Sequence, residues 1–371
     1  MKKIGTITFH SSYNYGSHLQ AYALQEFVKK ISDEPIEYKI INLRTDIQKD
    51  MYKNVFEKGS IKNYIKRIIL FNQKKALFNK AQSFEKFLNE KLQVTKEYNS
   101  YNELMQENFD YDYYISGSDQ LWNLQARDFD WSNYLEFVKK GKKISYSASF
   151  GPKSQQWNEK EKTRIANDLK QYSYLSVREK GSFENIKRLT NIESEIHVDP
   201  TMLLAKDEWL KIIGDAPLLK KDYILFYDLK ERKEDIKLVK EISKRLNMPV
   251  VITKYMGLSV HFSNFEKHYY CGPIEFLNLL YNSKLVLSSS FHGNVFSIIF
   301  NKPFFALNGK NDFRINTMLE KFKLTERSIS PNELDEKIKN VYNIDYTHAK
   351  KVFENEQEKS KKYLKKALDL K

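Results

Sequence analysis

Residues 4–9 read IGTITF, residues 10–17 read HSSYNYGS, and residues 18–43 continue HLQAYALQEFVKKISDEPIEYKIINL. The first run is apolar and strand-like, and the second is polar with a glycine in it. Beyond them Leu19, Tyr22, Ala23, Leu24, Phe27 and Val28 recur at helical spacing, and Glu37–Leu43 is a second strand-like run. A strand, a loop, a helix and another strand in that order predict parallel strands joined by a crossover helix, which places the N-terminal part in the α/β class.

The pattern extends along the chain. Strand-like runs recur at Tyr111–Ser116, Lys143–Ser149, Tyr174–Val177 and Glu195–Val198. A second set follows Asp199-Pro200, with strands expected at Tyr223–Tyr227, Pro249–Thr253, Leu285–Ser288 and Phe304–Leu307. Helices are expected at Lys206–Ile213, Arg232–Leu246, Pro273–Asn282 and Gly293–Phe300. At 371 residues the chain exceeds the ~250–300 at which single cores stop growing. The expected organisation is an N-terminal α/β domain over 1–205, a C-terminal α/β domain over 206–345 and a C-terminal helix within 346–371. Residues 48–92 are basic and aromatic, with Tyr52, Phe56, Tyr64, Ile68, Ile69, Leu70, Phe71, Leu77, Phe78 and Phe84 among lysines and arginines, and read as a helical insertion in the first domain. Two such domains are expected to face a cleft, with ligands outside the carboxyl ends of the strands.

Composition excludes several classes. Hydrophobic residues at 41% and charged residues at 30% are those of an ordered globular chain. The formal charge of +14 favours anionic partners, although a solvated lysine-rich surface explains most of it. The basic residues are spread widely and no nucleic-acid motif is present, so nucleic acid is not an expected partner. Cys271 is the single cysteine, and no Cys or His cluster has zinc spacing, so neither a disulfide nor a metal is expected and a reducing cytoplasm fits best. After Met1-Lys2-Lys3 only Ile4–Phe9 is apolar, too short for a secretory signal, and no run approaches the ~18 apolar residues of a membrane span.

Four segments just after strands carry chemistry. In residues 10–17 the loop can offer backbone N–H groups to an anion, with Asn14 and Gly16 as site members; an ordinary turn with Ser17 as helix cap accounts for it equally. Residues 115–123, ISGSDQLWN, bring Asp119, Gln120, Trp122 and Asn123 to a strand end. A carboxylate, two amides and an indole suit a sugar, and Asp119 can take a proton from a hydroxyl, with helix capping as its alternative role. Residues 174–182 deliver Arg178, whose planar donors suit a carboxylate or phosphate, against a salt bridge with Glu179. Residues 287–295, LSSSFHGNV, offer hydroxyls, N–H groups and the imidazole of His292, the best general acid or base candidate in the sequence.

Together with Leu19–Gln25, Ser145–Gly151 and Val198–Thr201, these segments resemble the polysaccharide pyruvyl transferase family. The resemblance implies two Rossmann-like domains similar to the GT-B glycosyltransferases. It also implies transfer of the enolpyruvyl unit of phosphoenolpyruvate to two sugar hydroxyls as a cyclic ketal, with release of phosphate and no metal or organic cofactor. His292 and Arg178 would then hold phosphoenolpyruvate, beside Ser290 and Gly293. Asn14, Tyr15, Gly16, Asp119, Gln120 and Trp122 would lie on the acceptor side. His292 would donate a proton or assist phosphate departure, Arg178 would neutralise the donor, and Asp119 would take a hydroxyl proton. Some members carry an arginine where Ser290 stands, so Lys302 or Arg314 becomes a candidate replacement cation. The implied acceptor is a lipid-linked sugar of a surface polysaccharide, with residues 48–92 against anionic headgroups at the inner face of the cell membrane. A sugar-nucleotide glycosyltransferase is the competing expectation, ahead of a non-enzymatic polyanion binder.

Overall fold

In the computed structural model, residues 1–51, 68, 70–151, 156–229, 232–254, 258–307, 309 and 312–371 are described. The chain divides into two compact units, one of Met1–Lys53, Lys86–Leu204 and Asn355–Lys371, the other of Asn54–Glu85 and Ala205–Glu354.

The first unit is built on β1 (Lys2–Ile7), β2 (Ile36–Leu43), β3 (Val94–Tyr98), β4 (Tyr113–Ser116), β5 (Lys142–Ser145) and β6 (Tyr172–Tyr174). They pair in the order β3-β2-β1-β4-β5-β6, every neighbour parallel. This is the Rossmann strand order. β7 (Ser176–Val177) and β8 (Glu195–Ile196) form a separate parallel pair.

The second unit repeats the scheme with β9 (Ile224–Tyr227), β10 (Val250–Ile252), β11 (Glu266–Lys267), β12 (Leu285–Ser288), β13 (Phe304–Leu307) and β14 (Ser328–Ile329), in the order β11-β10-β9-β12-β13-β14. Every residue of β9, β12 and β13 is buried, as expected of parallel strands covered on both faces. The strands absent from the sequence reading, β3, β11 and β14, lie at sheet edges, where a strand needs little apolar character. β5 stops at Ser145, four residues before the expected end, because Ser147 adopts a left-handed backbone with φ +51°.

The longer helices are α1 (Tyr15–Ile31), α2 (Lys74–Lys91), α3 (Glu159–Leu169), α4 (Lys180–Thr190), α5 (Lys206–Ile213), α6 (Lys233–Leu246), α7 (Pro273–Asn282), α8 (Phe291–Ile299), α9 (Phe313–Lys321) and α10 (Thr347–Ala367). The expected insertion at 48–92 is corrected in part, because residues 54–85 group with the second unit. There Leu70, Ala76 and Leu77 join the second unit's core and the Lys80 ammonium donates to the Thr253 carbonyl at 3.3 Å. Lys86–Lys91 belong to the first unit, where Phe87 meets the rings of Tyr22 and His18 edge-on. Tyr52, Phe56, Tyr64 and Ile69 lie outside the described residues. From Asn355 onward α10 belongs to the first unit. Tyr363 donates to the Ser145 carbonyl at 2.8 Å, and Ser360 pairs with Nδ1 of His197 at 3.2 Å.

In each sheet the chain reverses its direction of growth between the first and fourth strands, β1 beside β4 and β9 beside β12. The crevice outside such a reversal is where open α/β sheets bind ligands. The loops after β1, β4 and β12 hold Asn14, Asp119 and His292, which the sequence singles out, whereas Arg178 follows β7.

Candidate active site

In the second unit the loop after β12 is fastened to the loop after β9 by its serines. The Ser288 hydroxyl donates to the Tyr227 carbonyl at 2.7 Å and accepts from the Ser290 amide at 3.0 Å. The Ser289 hydroxyl bonds the buried carboxylate of Asp228 and accepts from the Leu229 amide at 3.2 Å. Ser290 caps α8 by accepting from the Gly293 amide, and Asn294 donates back to the Ser290 carbonyl at 2.9 Å. A methyl group on Gly293 would fall 2.3 Å from the Ser288 hydroxyl, so the turn requires glycine there. His292 sits in the first turn of α8, 8% exposed, against the edge of the Phe291 ring. The turn thus offers an imidazole, helix N-terminal amides and a dense set of hydroxyls at one strand end.

In the first unit, α1 begins earlier than expected and its cap is Asn14, not Ser17, with the Gly16 amide donating to Asn14 Oδ1 at 2.9 Å. Tyr15 and Gly16 are buried behind that cap. Gln20, one turn along, connects both loops of the reversal. Its amide nitrogen donates to Thr8 Oγ1 at 2.7 Å and to the Phe9 carbonyl at 2.9 Å, while its oxygen accepts from the Ser118 amide at 3.3 Å. His10 lies in the same place, with Nδ1 against the Thr8 carbonyl at 2.8 Å and Nε2 against Asn42 Oδ1 at 2.9 Å.

The loop after β4 is forced into shape by Gly117, whose φ is +142° and whose added Cβ would lie 2.0 Å from the Tyr146 carbonyl oxygen. The next turn sets Asp119 in a left-handed backbone with φ +74°, and its carboxylate meets Arg178 at 3.3 Å. Arg178 also pairs with Asp199 at 3.0 Å and lies 3.6 Å from a Glu179 oxygen. Burial opposes its charge, but Asp119, Asp199 and Glu179 outweigh burial and hold the guanidinium above its ordinary range. Asp199 is itself fixed by the Thr201 amide at 3.0 Å and hydroxyl at 2.8 Å. One cation therefore faces three carboxylates, so the expected salt bridge with Glu179 is one part of a larger cage.

Two expectations for this loop divide. Gln120 stays half-buried and accepts from the Asn123 amide at 3.1 Å. Trp122 is 0% exposed, stacked on Tyr134 with ring centroids 5.6 Å apart, and donates Nε1 to the Ser116 hydroxyl at 3.1 Å. It is a core residue with no ring face left for a sugar, which corrects its expected place on the acceptor side.

The two candidate replacement cations also separate. Arg314 stands after β13 at the carboxyl edge of the second sheet and is paired with Asp312 at 3.1 Å. Lys302 follows α8, at the opposite end of that helix from His292, which the helical rise puts about 12 Å away. The structure therefore withdraws Lys302 from the turn that holds His292.

His10, Gln20, Asp199 and Asp228 are members of these strand-end networks that sequence reasoning did not propose. Asp199 carried two signals, its position before Pro200 at a strand end and its place in the Val198–Thr201 run of the resemblance. Gln20 carried only its place in the Leu19–Gln25 run of the resemblance, since a glutamine within a helix otherwise reads as surface. Among the described residues no group of three or more His, Cys, Asp or Glu could hold a metal ion, and no helix is long and apolar enough to cross a membrane.

Among curated proteins, no sequence matches the chain. Solved structures do. The UDP-GlcNAc 2-epimerase of Methanocaldococcus jannaschii aligns with a TM-score of 0.52 at 15% identity, covering 94% of this chain and 93% of that one. UDP-N-acetylglucosamine 2-epimerase from Rickettsia bellii aligns with a TM-score of 0.51 at 11% identity, covering 100% and 95%. At such identities the likeness concerns the fold alone, two Rossmann-like α/β domains of the GT-B kind. The sequence itself says more: a model of the polysaccharide pyruvyl transferase family matches residues 14–311, which include Asn14, Asp119, Arg178 and His292, and the chain belongs to that family.

Proposed function

We propose that this pyruvyl transferase uses phosphoenolpyruvate as donor and closes a cyclic ketal on two hydroxyls of a polysaccharide sugar. The observation that supports the reading most is the placement of His292 in the first turn of α8, at the strand reversal of the second sheet, within the span of the family match. Helix N-terminal amides favour an anion, and an imidazole beside them is a group of the kind used for general acid–base catalysis.

In this reading Ser290, His292 and Gly293 bind the phosphorylated donor. Protonation of its methylene carbon makes the methyl group and leaves an electron-poor carbon, to which the first hydroxyl adds. The bond from that carbon to the phosphate oxygen then breaks, and the second hydroxyl closes the ring. Two hydroxyl protons are released; one balances the proton taken by the methylene and the other leaves on inorganic phosphate. His292 supplies the first proton or protonates the departing phosphate, and Asp119 accepts a proton from a hydroxyl. Arg178, committed to three carboxylates, is assigned the positioning of Asp119 rather than a donor contact. The 3.3 Å contact with Asp119 is the longer of its two hydrogen bonds to carboxylate, so Asp119 is the member most readily freed for a substrate hydroxyl. Asn14, Tyr15, Gly16 and Gln120 stay on the acceptor side. The acceptor is read as a lipid-linked sugar, and the +14 charge favours attachment at the anionic inner face of a membrane.

The first test compares thermal stabilisation by phosphoenolpyruvate and by a panel of nucleotide sugars, for the wild type and His292→Ala. A shift with phosphoenolpyruvate that the substitution removes supports the reading. A shift with one nucleotide sugar and none with phosphoenolpyruvate replaces it with glycosyl transfer.

A further inference from the structure

Lys302 belongs to a cluster remote from the strand-end turn of the second unit. It follows α8 and precedes β13, and Lys284 precedes the neighbouring β12, so both stand at the amino edge of the second sheet, with Lys206, which opens α5, close enough to repel Lys302. Tyr281, in the last turn of α7, brings two of them together: the Lys206 ammonium lies 5.4 Å from the centre of its ring and the Lys302 ammonium 5.8 Å. The backbone is held there as well, since Tyr346 donates its hydroxyl to the Lys302 carbonyl at 2.6 Å.

The charges in this cluster are unbalanced. Lys284 has Asp222 at 3.6 Å, whereas among the described residues neither Lys206 nor Lys302 has an ion-pair partner or a hydrogen bond from its ammonium. Both are half-buried. Burial, then the repulsion of Lys206 and Lys284, pushes the Lys302 ammonium down to about 8. Holding like charges together on a partly desolvated surface is unfavourable unless something of opposite charge joins them.

We propose that Lys206, Lys302 and the Tyr281 ring form a binding site for a small dianionic phosphoryl group, separate from the turn that holds His292. Lysine ammoniums recognise phosphate as point charges without needing the planar geometry of a carboxylate. Tyr281 fixes both ammoniums through the face of its ring, and the anion supplies the charge that the cluster lacks. The site takes free phosphate or a soluble phosphomonoester in preference to a lipid headgroup, because the lysines are half-buried rather than displayed on a broad exposed patch. The inference does not depend on the donor assigned above.

The test is residue-resolved acetylation of the full chain with N-hydroxysuccinimidyl acetate at pH 8, read by mass spectrometry at ionic strength matched with sodium chloride. Inorganic phosphate at twice its dissociation constant should slow modification of Lys302 and Lys206 about threefold, the protection expected of simple occupancy. The exposed Lys170 should react at an unchanged rate. Lys206→Met should remove the protection at Lys302. Equal rates with and without phosphate, or equal slowing at Lys170, would overturn the proposal. Protection of Lys302 by phosphatidylglycerol vesicles but not by phosphate or pyrophosphate would also overturn it, in favour of a headgroup site.

Discussion

Arg178 donates Nη1 to Oδ2 of Asp199 across 3.0 Å, with the carboxylate wholly buried and the guanidinium side chain 4% exposed. Around this pair Asp119 and Glu179 complete an acid-rich cage at the edge of the first sheet, where β7 ends and the loop after β4 passes. The arginine that the sequence presents as a donor ligand is thus the centre of an internal network.

Removing the cation from that network leaves buried carboxylates without compensation, which destabilises by about 3–5 kcal/mol. Arg178→Met is therefore expected to lower the stability of the chain by that order in urea denaturation, with Arg178→Lys retaining part of it. A loss under about 1 kcal/mol would show that water or rearrangement satisfies the acids, as it does for exposed pairs.

Trp122 distinguishes a core role from a sugar platform. Trp122→Phe keeps most of the packing against Tyr134 and loses the indole bond to Ser116, so a penalty of about 1 kcal/mol is expected. Acceptor affinity measured by calorimetry should not change. A large fall in affinity with stability intact would return the indole to the acceptor side.

Asp168, at the end of α3, gives the first unit a pH dependence. Burial first, then the hydrogen bond and charge of Glu136, push its carboxyl from 3.8 up to about 7. Glu136 itself is also opposed by burial, but its bonds with Arg164 and Tyr101 hold it below the ordinary range. Between those two pH values the folded chain keeps a proton that the unfolded chain has released. The contribution is full below 3.8 and falls by about 1.4 kcal/mol for each pH unit climbed toward 7, then levels off. Asp168→Asn should flatten that part of the stability profile and leave the variant more stable than the wild type at pH 8. An unchanged slope between pH 5 and 7 in guanidinium titrations would show that Asp168 ionises normally.

The fold was legible where burial imposes a pattern and obscure where it does not. Leu285–Ser288 and Phe304–Leu307 coincide with β12 and β13 because central parallel strands must be apolar throughout. Val94–Tyr98 carries exposed Lys96 and Glu97 and pairs on one side only, so β3 left no apolar run to read. In the candidate site, Arg178, Asp119 and His292 stood out because charged residues after apolar strands are conspicuous. Their partners did not. Asp199 meets Arg178 from 21 positions away and Gln20 meets Ser118 from 98, and no local pattern encodes such pairings. Trp122 was misread for a related reason: the sequence shows an indole beside polar residues, and only Tyr134 and Ser116 reveal that its ring and nitrogen are already occupied.

Gly293 gives the most direct test of the turn that holds His292. An alanine methyl would lie 2.3 Å from the Ser288 hydroxyl and 3.1 Å from the Tyr227 ring. The hydroxyl cannot yield without disturbing its bonds to the Tyr227 carbonyl and the Ser290 amide, and Ser290 is the cap of α8. Overpacking of this kind costs about 1–3 kcal/mol. Because the methyl is next to His292, the displacement also moves the imidazole relative to the helix amides. Gly293→Ala is thus expected to lower the melting temperature modestly and to reduce pyruvyl transfer more severely, through kcat as well as KM. Ser288→Ala in the same chain opens room for the methyl but deletes the hydroxyl bonds, so it should recover part of the stability and little of the activity. If Gly293→Ala alone kept full turnover, the position of His292 would not be set by this turn, and its assignment as the proton donor would lose its structural support.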